Sequence, residues 1–356
     1  MKITFILPTI ELSGGVKVVF EYANRLQEKG HDVTVIYPFL FIDMEAKRFD
    51  IKKLIAIAYR IFRNLKHKNQ ADWFDLKAKL TMVPTLNEKN IPDADIIVAT
   101  WWETVYYVKK YPKNKGEKFY LIQHYETWGG PKEKVEKTYN MGLHNIVISN
   151  WLEKKLRNIG AKVEILIPNG INTDEFYPEQ LKRDSEKIRI LTPYRKEGWK
   201  GIKDGLKALE IIKKEKKNYR LIMFGQKPRK NELPKDVEFH FLPVKEELRK
   251  LYNSCDIFIF PSRCEGFGLP PMEAMACKIP VVTTNVGAVL DYAIPGETAL
   301  VSEPYDFENL ANHTLELIKD KQKRKRIAEN GYKHIIQFNW NKSVNHLEKT
   351  FKKYVK

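Results

Sequence analysis

The chain has 356 residues, 43% hydrophobic and 30% charged, which suits two globular domains with their own cores and excludes a disordered polymer. Lysine and arginine total 62 against 45 aspartate and glutamate, a net charge of +17 that favours phosphate-bearing or anionic partners. No zinc finger, basic region with heptads or aromatic RNA-binding signature accompanies that charge, so nucleic acid is set aside as a partner.

Residues 2–8 read as a buried strand, with no signal peptide ahead of it. Residues 9–15 follow as a loop ending in Gly14-Gly15, and Val19, Ala23 and Leu26 give 16–29 a helical period, closed by Gly30 at C′. A second strand covers 32–36. The start is Rossmann-like but lacks Gly-x-Gly-x-x-Gly, so a dinucleotide is not expected. In 46–70, Ile51, Leu54, Ile55, Ala58, Phe62 and Leu65 fall on one helical face, while Lys52, Lys53, Arg60, Arg63 and Lys66 fall on the other. Such a helix can lie on an anionic membrane, apolar side down, or pack that side against its own domain. The apolar run 96–102 is far short of the roughly 18 residues a membrane span needs.

The strand 94–100 leads into Trp101-Trp102, which can face an acceptor or pack internally. The strand 118–122 leads to Gln123-His124-Tyr125-Glu126, placing His124 at the carboxyl end of a strand, where open α/β sheets bind ligands. Residues 145–149 and 151–159 give a strand and a helix capped by Ser149 or Asn150. Pro168-Asn169-Gly170-Ile171 opens a polar run that ends at Pro178 and closes the first domain.

Residues 180–187 form a charged linker. The strand 188–193 runs into Tyr194-Arg195-Lys196-Glu197-Gly198-Trp199-Lys200-Gly201 and a helix over 202–213. Arg195 and Lys200 are spaced to reach one diphosphate, the first with a forked guanidinium and the second with a point charge. Strands over 219–225 and 237–242 follow, then a helix over 245–253 beginning just after Val244. The strand 256–260 leads into Arg263-Cys264-Glu265-Gly266-Phe267-Gly268-Leu269-Pro270-Pro271-Met272-Glu273-Ala274 and a further strand at 278–284. This is one βαβ unit whose glycines let backbone approach a ligand. The proline pair marks a helix start, an anion site framed by two carboxylates. The three cysteines Cys255, Cys264 and Cys277 lack metal-ligand spacing, and no Asp-x-Asp pair ends a strand, so neither structural zinc nor a catalytic metal is expected. Odd, scattered cysteines suit a reducing, cytoplasmic location. From residue 306 helices dominate, interrupted by Phe338-Asn339-Trp340.

The segment from Glu265 to Glu273 resembles the donor-binding motif of the retaining glycosyltransferases of family 4, and the run from Pro168 to Pro178 resembles the same family's interdomain segment. The resemblance implies an α/β protein of GT-B fold: two Rossmann-like domains facing each other across a cleft, the last helix crossing back to the first. The domains would be 1–178 with the tail 340–356, and 179–339. It implies transfer of a sugar from a nucleoside diphosphate sugar to a hydroxyl, with retention and without metal or cofactor. The acceptor would be a glycan or lipid-linked precursor, and the protein cytoplasmic and peripheral on the membrane. Arg195 and Lys200 would face the pyrophosphate, Gly266, Phe267, Gly268 and Leu269 would supply amides, Glu265 would bind the sugar and Glu273 the ribose. Val244 would lie near the base, Gly14 and Gly15 near donor or acceptor, and His124 would hold the sugar from the other domain. The pattern departs from the family where Tyr194 precedes Arg195, where Tyr125 follows His124, and where Asp291 replaces the usual glutamate. A sugar phosphorylase lacks support, since no pyridoxal-binding lysine segment is present. A catalytically silent protein binding carbohydrate or anionic lipid is the remaining alternative.

Overall fold

A computed structural model of the protein describes residues 1–39, 71–181, 187–215, 218–229 and 232–355. The chain divides into two compact units, Met1–Asn169 with Trp340–Lys356, and Gly170–Asn339. The amphipathic stretch 46–70 lies outside the described residues.

The first unit holds β1 (Lys2–Ile6), β2 (Asp32–Pro38), β3 (Lys79–Val83), β4 (Ile96–Ala99), β5 (Glu117–Ile122), β6 (His144–Val147) and β7 (Ile165–Leu166) in the order β3-β2-β1-β4-β5-β6-β7. Every pairing is parallel. Parallel strands covered by helices on both faces need continuous apolar runs, which Lys2–Ile6 and Ile96–Ala99 supply. The helix Gly14–Glu28 follows β1 and is capped by Ser13, whose hydroxyl accepts from the amide of Val16. Gly14 and Gly15 are therefore the first two helical residues, not the end of a loop: the serine cap sets the start earlier than the apolar period does. Gly30 takes φ +84 just past the helix, as a C′ glycine does. The helix Trp340–Lys352 packs on this unit, with Trp340 edge-on to Tyr22 at 5.3 Å and Phe351 against Phe119 at 4.8 Å. Its Glu348 pairs with Lys352 and Lys29 and meets His31 at 3.2 Å, and the hydrogen bonds from Lys352 and then Lys29 hold its carboxyl down at about 2.

The second unit holds β8 (Ile188–Tyr194), β9 (Tyr219–Gly225), β10 (Glu238–Phe241), β11 (Ile257–Phe260), β12 (Val281–Thr284) and β13 (Leu300–Ser302), ordered β10-β9-β8-β11-β12-β13 and also all parallel. Its core gathers Ile190, Leu209, Met223, Ile257, Ile259 and Val282 beneath Leu315 and Ile327. The sequence placed the boundary after residue 178, whereas the units divide after Asn169. A backbone bridge and several side-chain contacts explain the difference. Ile171 pairs with Asn339, Glu175 binds Lys245, Arg249 lies 4.4 Å over Tyr177, and Phe176 meets Tyr252, so the run 171–179 belongs to the second unit.

In both sheets the chain first winds outward one way and then the other, so the direction reverses between β1 and β4, and again between β8 and β11. Ligands of doubly wound sheets bind at the carboxyl ends of strands beside such a reversal.

Candidate active site

At the reversal of the second unit, two loops meet. One leaves β8, carries Arg195, passes a single helical turn at Gly198–Lys200 and enters the helix Ile202–Glu215. The other leaves β11 at Pro261 and enters the helix Leu269–Ala276. Gly201 takes φ +68, and a Cβ there would stand 1.7 Å from the carbonyl oxygen of Pro261, so only glycine lets the loops approach. The amide of Arg263 donates to the carbonyl of Trp199 at 2.8 Å. The Arg263 guanidinium grips the buried Asp204 through both carboxylate oxygens, at 2.6 and 2.7 Å.

This zipper brings Lys200 to Glu265. The ammonium lies 2.9 Å from each carboxylate oxygen, and the Ser262 hydroxyl donates to Oε1 at 2.7 Å. Gly287, at φ +55, presses against the Glu265 carbonyl; a Cβ would come within 2.4 Å of it. Glu265 is thus fixed from three directions, with its carboxylate beside a cation.

Beyond Glu265 the backbone turns through Gly266, Phe267 and Gly268 into the helix. Gly268 takes φ +89 as N-cap, and its carbonyl accepts from the Tyr292 hydroxyl at 3.2 Å. Phe267 is buried against Tyr292 at 5.6 Å. Pro270 and Pro271 stand in the first turn and have no amide hydrogen, which removes two of the four free donors a helix start normally offers. The donors of Gly266, Phe267, Gly268 and Leu269 remain, and none of them finds an acceptor among the described residues. Successive unengaged amides at a helix start form a concavity for an anion.

Glu273, four residues into that helix, is buried and accepts from the Tyr252 hydroxyl at 3.1 Å. Burial, and then the Glu273 carboxylate, push the Tyr252 phenol far up, while the charge of Arg195 opposes this. Arg195 therefore lies within electrostatic reach of Tyr252, and it makes no hydrogen bond or ion pair among the described residues. Val244 is 65% exposed at the start of the helix Lys245–Ser254, the same helix that supplies Tyr252. Among the described residues no cluster of three His, Cys, Asp or Glu could hold a metal.

Of the residues singled out in the sequence, Lys200, Glu265, Gly266, Phe267, Gly268, Leu269 and Glu273 come together with Arg195 at this reversal, and Val244 sits one helix away. Sequence reading missed Ser262, Asp204, Tyr252 and Tyr292, which orient these groups. Gly14, Gly15 and His124 belong to the first unit. There Gln123 donates to the Gly15 carbonyl at 3.1 Å, and the His124 ring packs edge-on to Trp128 and Trp151, each at 6.0 Å. Two residues on, Glu126 is buried; its Oε2 accepts from the Trp102 amide at 2.7 Å and the Tyr120 hydroxyl at 2.8 Å. Burial pushes that carboxyl up to about 8.

Comparison with known proteins adds family and fold. Residues 12–175 match Glycosyltransferase Family 4, and residues 173–334 match Glycosyl transferases group 1. A relative from Staphylococcus aureus, the capsular polysaccharide biosynthesis glycosyltransferase CapM, is 28% identical over 209 residues, 54% of this chain and 54% of its own. The O-antigen chain mannosyltransferase B of Escherichia coli is 37% identical over 95 residues, 27% of this chain and 24% of its own. The chain spans about half the length of the first curated relatives it matches. Among solved structures, Anabaena Alr3699/HepE in complex with UDP-glucose superposes with a TM-score of 0.77 at 16% identity, over 99% of this chain and 100% of that one. The sucrose-phosphate synthase of Thermosynechococcus elongatus gives 0.74 at 18% identity, over 99% and 98%.

Proposed function

For a chain that belongs to the glycosyltransferases, pairing a family 4 domain with a group 1 domain on the GT-B fold, we propose transfer of a sugar from a nucleoside diphosphate sugar to a hydroxyl acceptor. The observation that carries this reading is the convergence of Lys200, Glu265, Arg195 and four unengaged amides beside one chain reversal.

In the proposed reaction the bond from the anomeric carbon to the diphosphate breaks as a bond to the acceptor oxygen forms on the same face. The acceptor proton passes to the departing phosphate oxygen. Arg195, Lys200 and the amides from Gly266 to Leu269 oppose the charge that builds on the diphosphate; such fixed positive groups account for most of many catalytic effects. They take the neutralising role a metal has elsewhere. Glu265, already oriented by Ser262, accepts from sugar hydroxyls and favours positive charge on the ring. Glu273, held by Tyr252, accepts from ribose hydroxyls. Val244 lies towards the base; His124, Gly14 and Gly15 are the first unit's candidates for contacts to donor or acceptor.

UDP is the first nucleotide to try, because Alr3699/HepE is named in complexes with UDP and UDP-glucose. The names of CapM and the mannosyltransferase support a glycan acceptor; a lipid-linked glycan is the finer form of the same proposal. Free thiols at Cys255, Cys264 and Cys277 support a reducing, cytoplasmic setting. Membrane association through 46–70 rests on composition alone, and flotation with anionic liposomes at low and high salt tests it.

Thermal unfolding with UDP, GDP, ADP and dTDP tests the central reading. A nucleotide at a hundred times its dissociation constant should stabilise the protein by about 2.7 kcal/mol. Lys200→Ala should remove most of that shift, measured from its own ligand-free midpoint, which itself falls because Glu265 loses its cation. Equal shifts in the two proteins, or none with any diphosphate, would contradict the reading.

A further inference from the structure

Three carbonyls of the Glu265 loop turn towards the segment that follows β12. A Cβ on Gly287 would stand 2.4 Å from the Glu265 carbonyl oxygen and 2.9 Å from that of Gly266, so both oxygens lie against this glycine. The third, on Gly268, accepts from the Tyr292 hydroxyl at 3.2 Å. Every peptide bond among the described residues is trans, so the amide hydrogen of each peptide points opposite to its carbonyl. The amides of Gly266, Phe267 and Leu269 therefore face the other side of the loop, and none of them meets an acceptor among the described residues.

The Gly268–Leu269 peptide is the one of these that its own residues hold least. Gly268, at φ +89, has no side chain to anchor it and can exchange one backbone orientation for another at little cost. Leu269 stands before Pro270, a position that disfavours helical angles. Rotation of this peptide would swing the Gly268 carbonyl to the side that the Leu269 amide now occupies, and would place a partial negative charge where an anion is to sit. Tyr292 opposes that rotation. It ends the short helix Val289–Tyr292, is fully buried, and packs its ring on Phe267 at 5.6 Å. Burial, and then the charge of Glu265, push the phenol far up, so the hydroxyl remains a donor.

We infer that the Tyr292 hydroxyl is a positioning group for anion binding: by holding the Gly268 carbonyl inward, it keeps the Leu269 amide aimed at the diphosphate. It touches no substrate itself. The inference rests on the proposed donor site, and it names what holds that site's amides in their anion-binding orientation.

The test compares the full chain as wild type and as Tyr292→Phe, which keeps the ring on Phe267 and removes only the hydroxyl. Inorganic pyrophosphate is the first probe and UDP the second. Loss of one amide donor to a charged group should weaken pyrophosphate binding about tenfold. In isotope-labelled protein saturated with pyrophosphate and observed by NMR, the Leu269 amide proton should move downfield in the wild type. It should stay near its ligand-free position in Tyr292→Phe. A purely structural loosening would lower affinity yet leave the same shift at saturation. Equal affinities, or an equal Leu269 shift in the two saturated proteins, overturns the inference. Pyrophosphate binding that depends on Tyr292, with no binding of UDP, GDP, ADP or dTDP, sustains the inference and contradicts the proposed function. A wild type that binds none of these overturns both.

Discussion

The two units share one scaffold and differ in what they place on it. Each is a parallel sheet that reverses direction beside its first strand, and each sends glycine-dependent loops over that reversal. In the second unit the loops assemble charge: Lys200 against Glu265, Arg263 against Asp204, and a row of open amides. In the first they assemble aromatic rings around Trp128, with Glu126 buried beneath. The scaffold fixes where the loops meet, and the loop residues decide what they present there, charge and open amides in one case and aromatic rings in the other.

The sharpest way to break that comparison is to spoil the approach of two loops without touching a ligand group. Gly201→Ala should destabilise the protein by about 3 kcal/mol or more, since it adds a steric overlap to a left-handed residue. Gly30→Ala, at φ +84 but with nothing within 4 Å of the added Cβ, should cost only about 1 kcal/mol. Denaturant midpoints of the two variants check this, and equal losses would mean that backbone strain alone, not loop contact, makes Gly201 necessary.

A smaller effect separates the buried carboxylate of the first unit from the exposed charges around it. Glu126 has its pKa raised to about 8, so between about 4.5 and 8 the folded state holds a proton that the unfolded chain has lost. Stability contributed this way falls as pH rises through that window, by at most about 1.4 kcal/mol per unit. Glu126→Gln mimics the protonated form and should flatten the slope, as read from unfolding midpoints at successive pH values. The opposite sign holds for Glu348, whose depressed carboxyl contributes stability that is lost only as pH falls from about 4.5 towards 2. A persistent slope in Glu126→Gln would assign the pH dependence to other groups.

Much of this was legible in the sequence because it is local. The strand before Arg195, the glycines on either side of Phe267 and the proline pair at 270 and 271 all lie within a few residues of one another, and they fixed the unit's βαβ order. The contacts that orient the site are not local. Lys200 reaches Glu265 across 65 residues, Asp204 reaches Arg263 across 59, and Tyr252 reaches Glu273 across 21, so no period or spacing announces them. The same reason left Trp101 open between facing an acceptor and packing internally: its contact with Trp128 depends on loops that Gly129 and Gly130 let approach. The start of the first helix was misjudged for a different reason. The apolar period begins at Val16, while Ser13 caps the helix and draws Gly14 and Gly15 into its first turn. The boundary after residue 178 was set too late because a polar, proline-ended run reads as a linker, although Phe176 is fully buried against the second unit.

A crystal structure of the protein with UDP bound tests the central claim most directly. The diphosphate should lie on the amides of Gly266 to Leu269, with Arg195 and Lys200 within hydrogen-bonding distance of its oxygens and Glu273 on the ribose. A diphosphate bound away from the Glu265 loop, or bound there with both cations turned from it, would contradict the account.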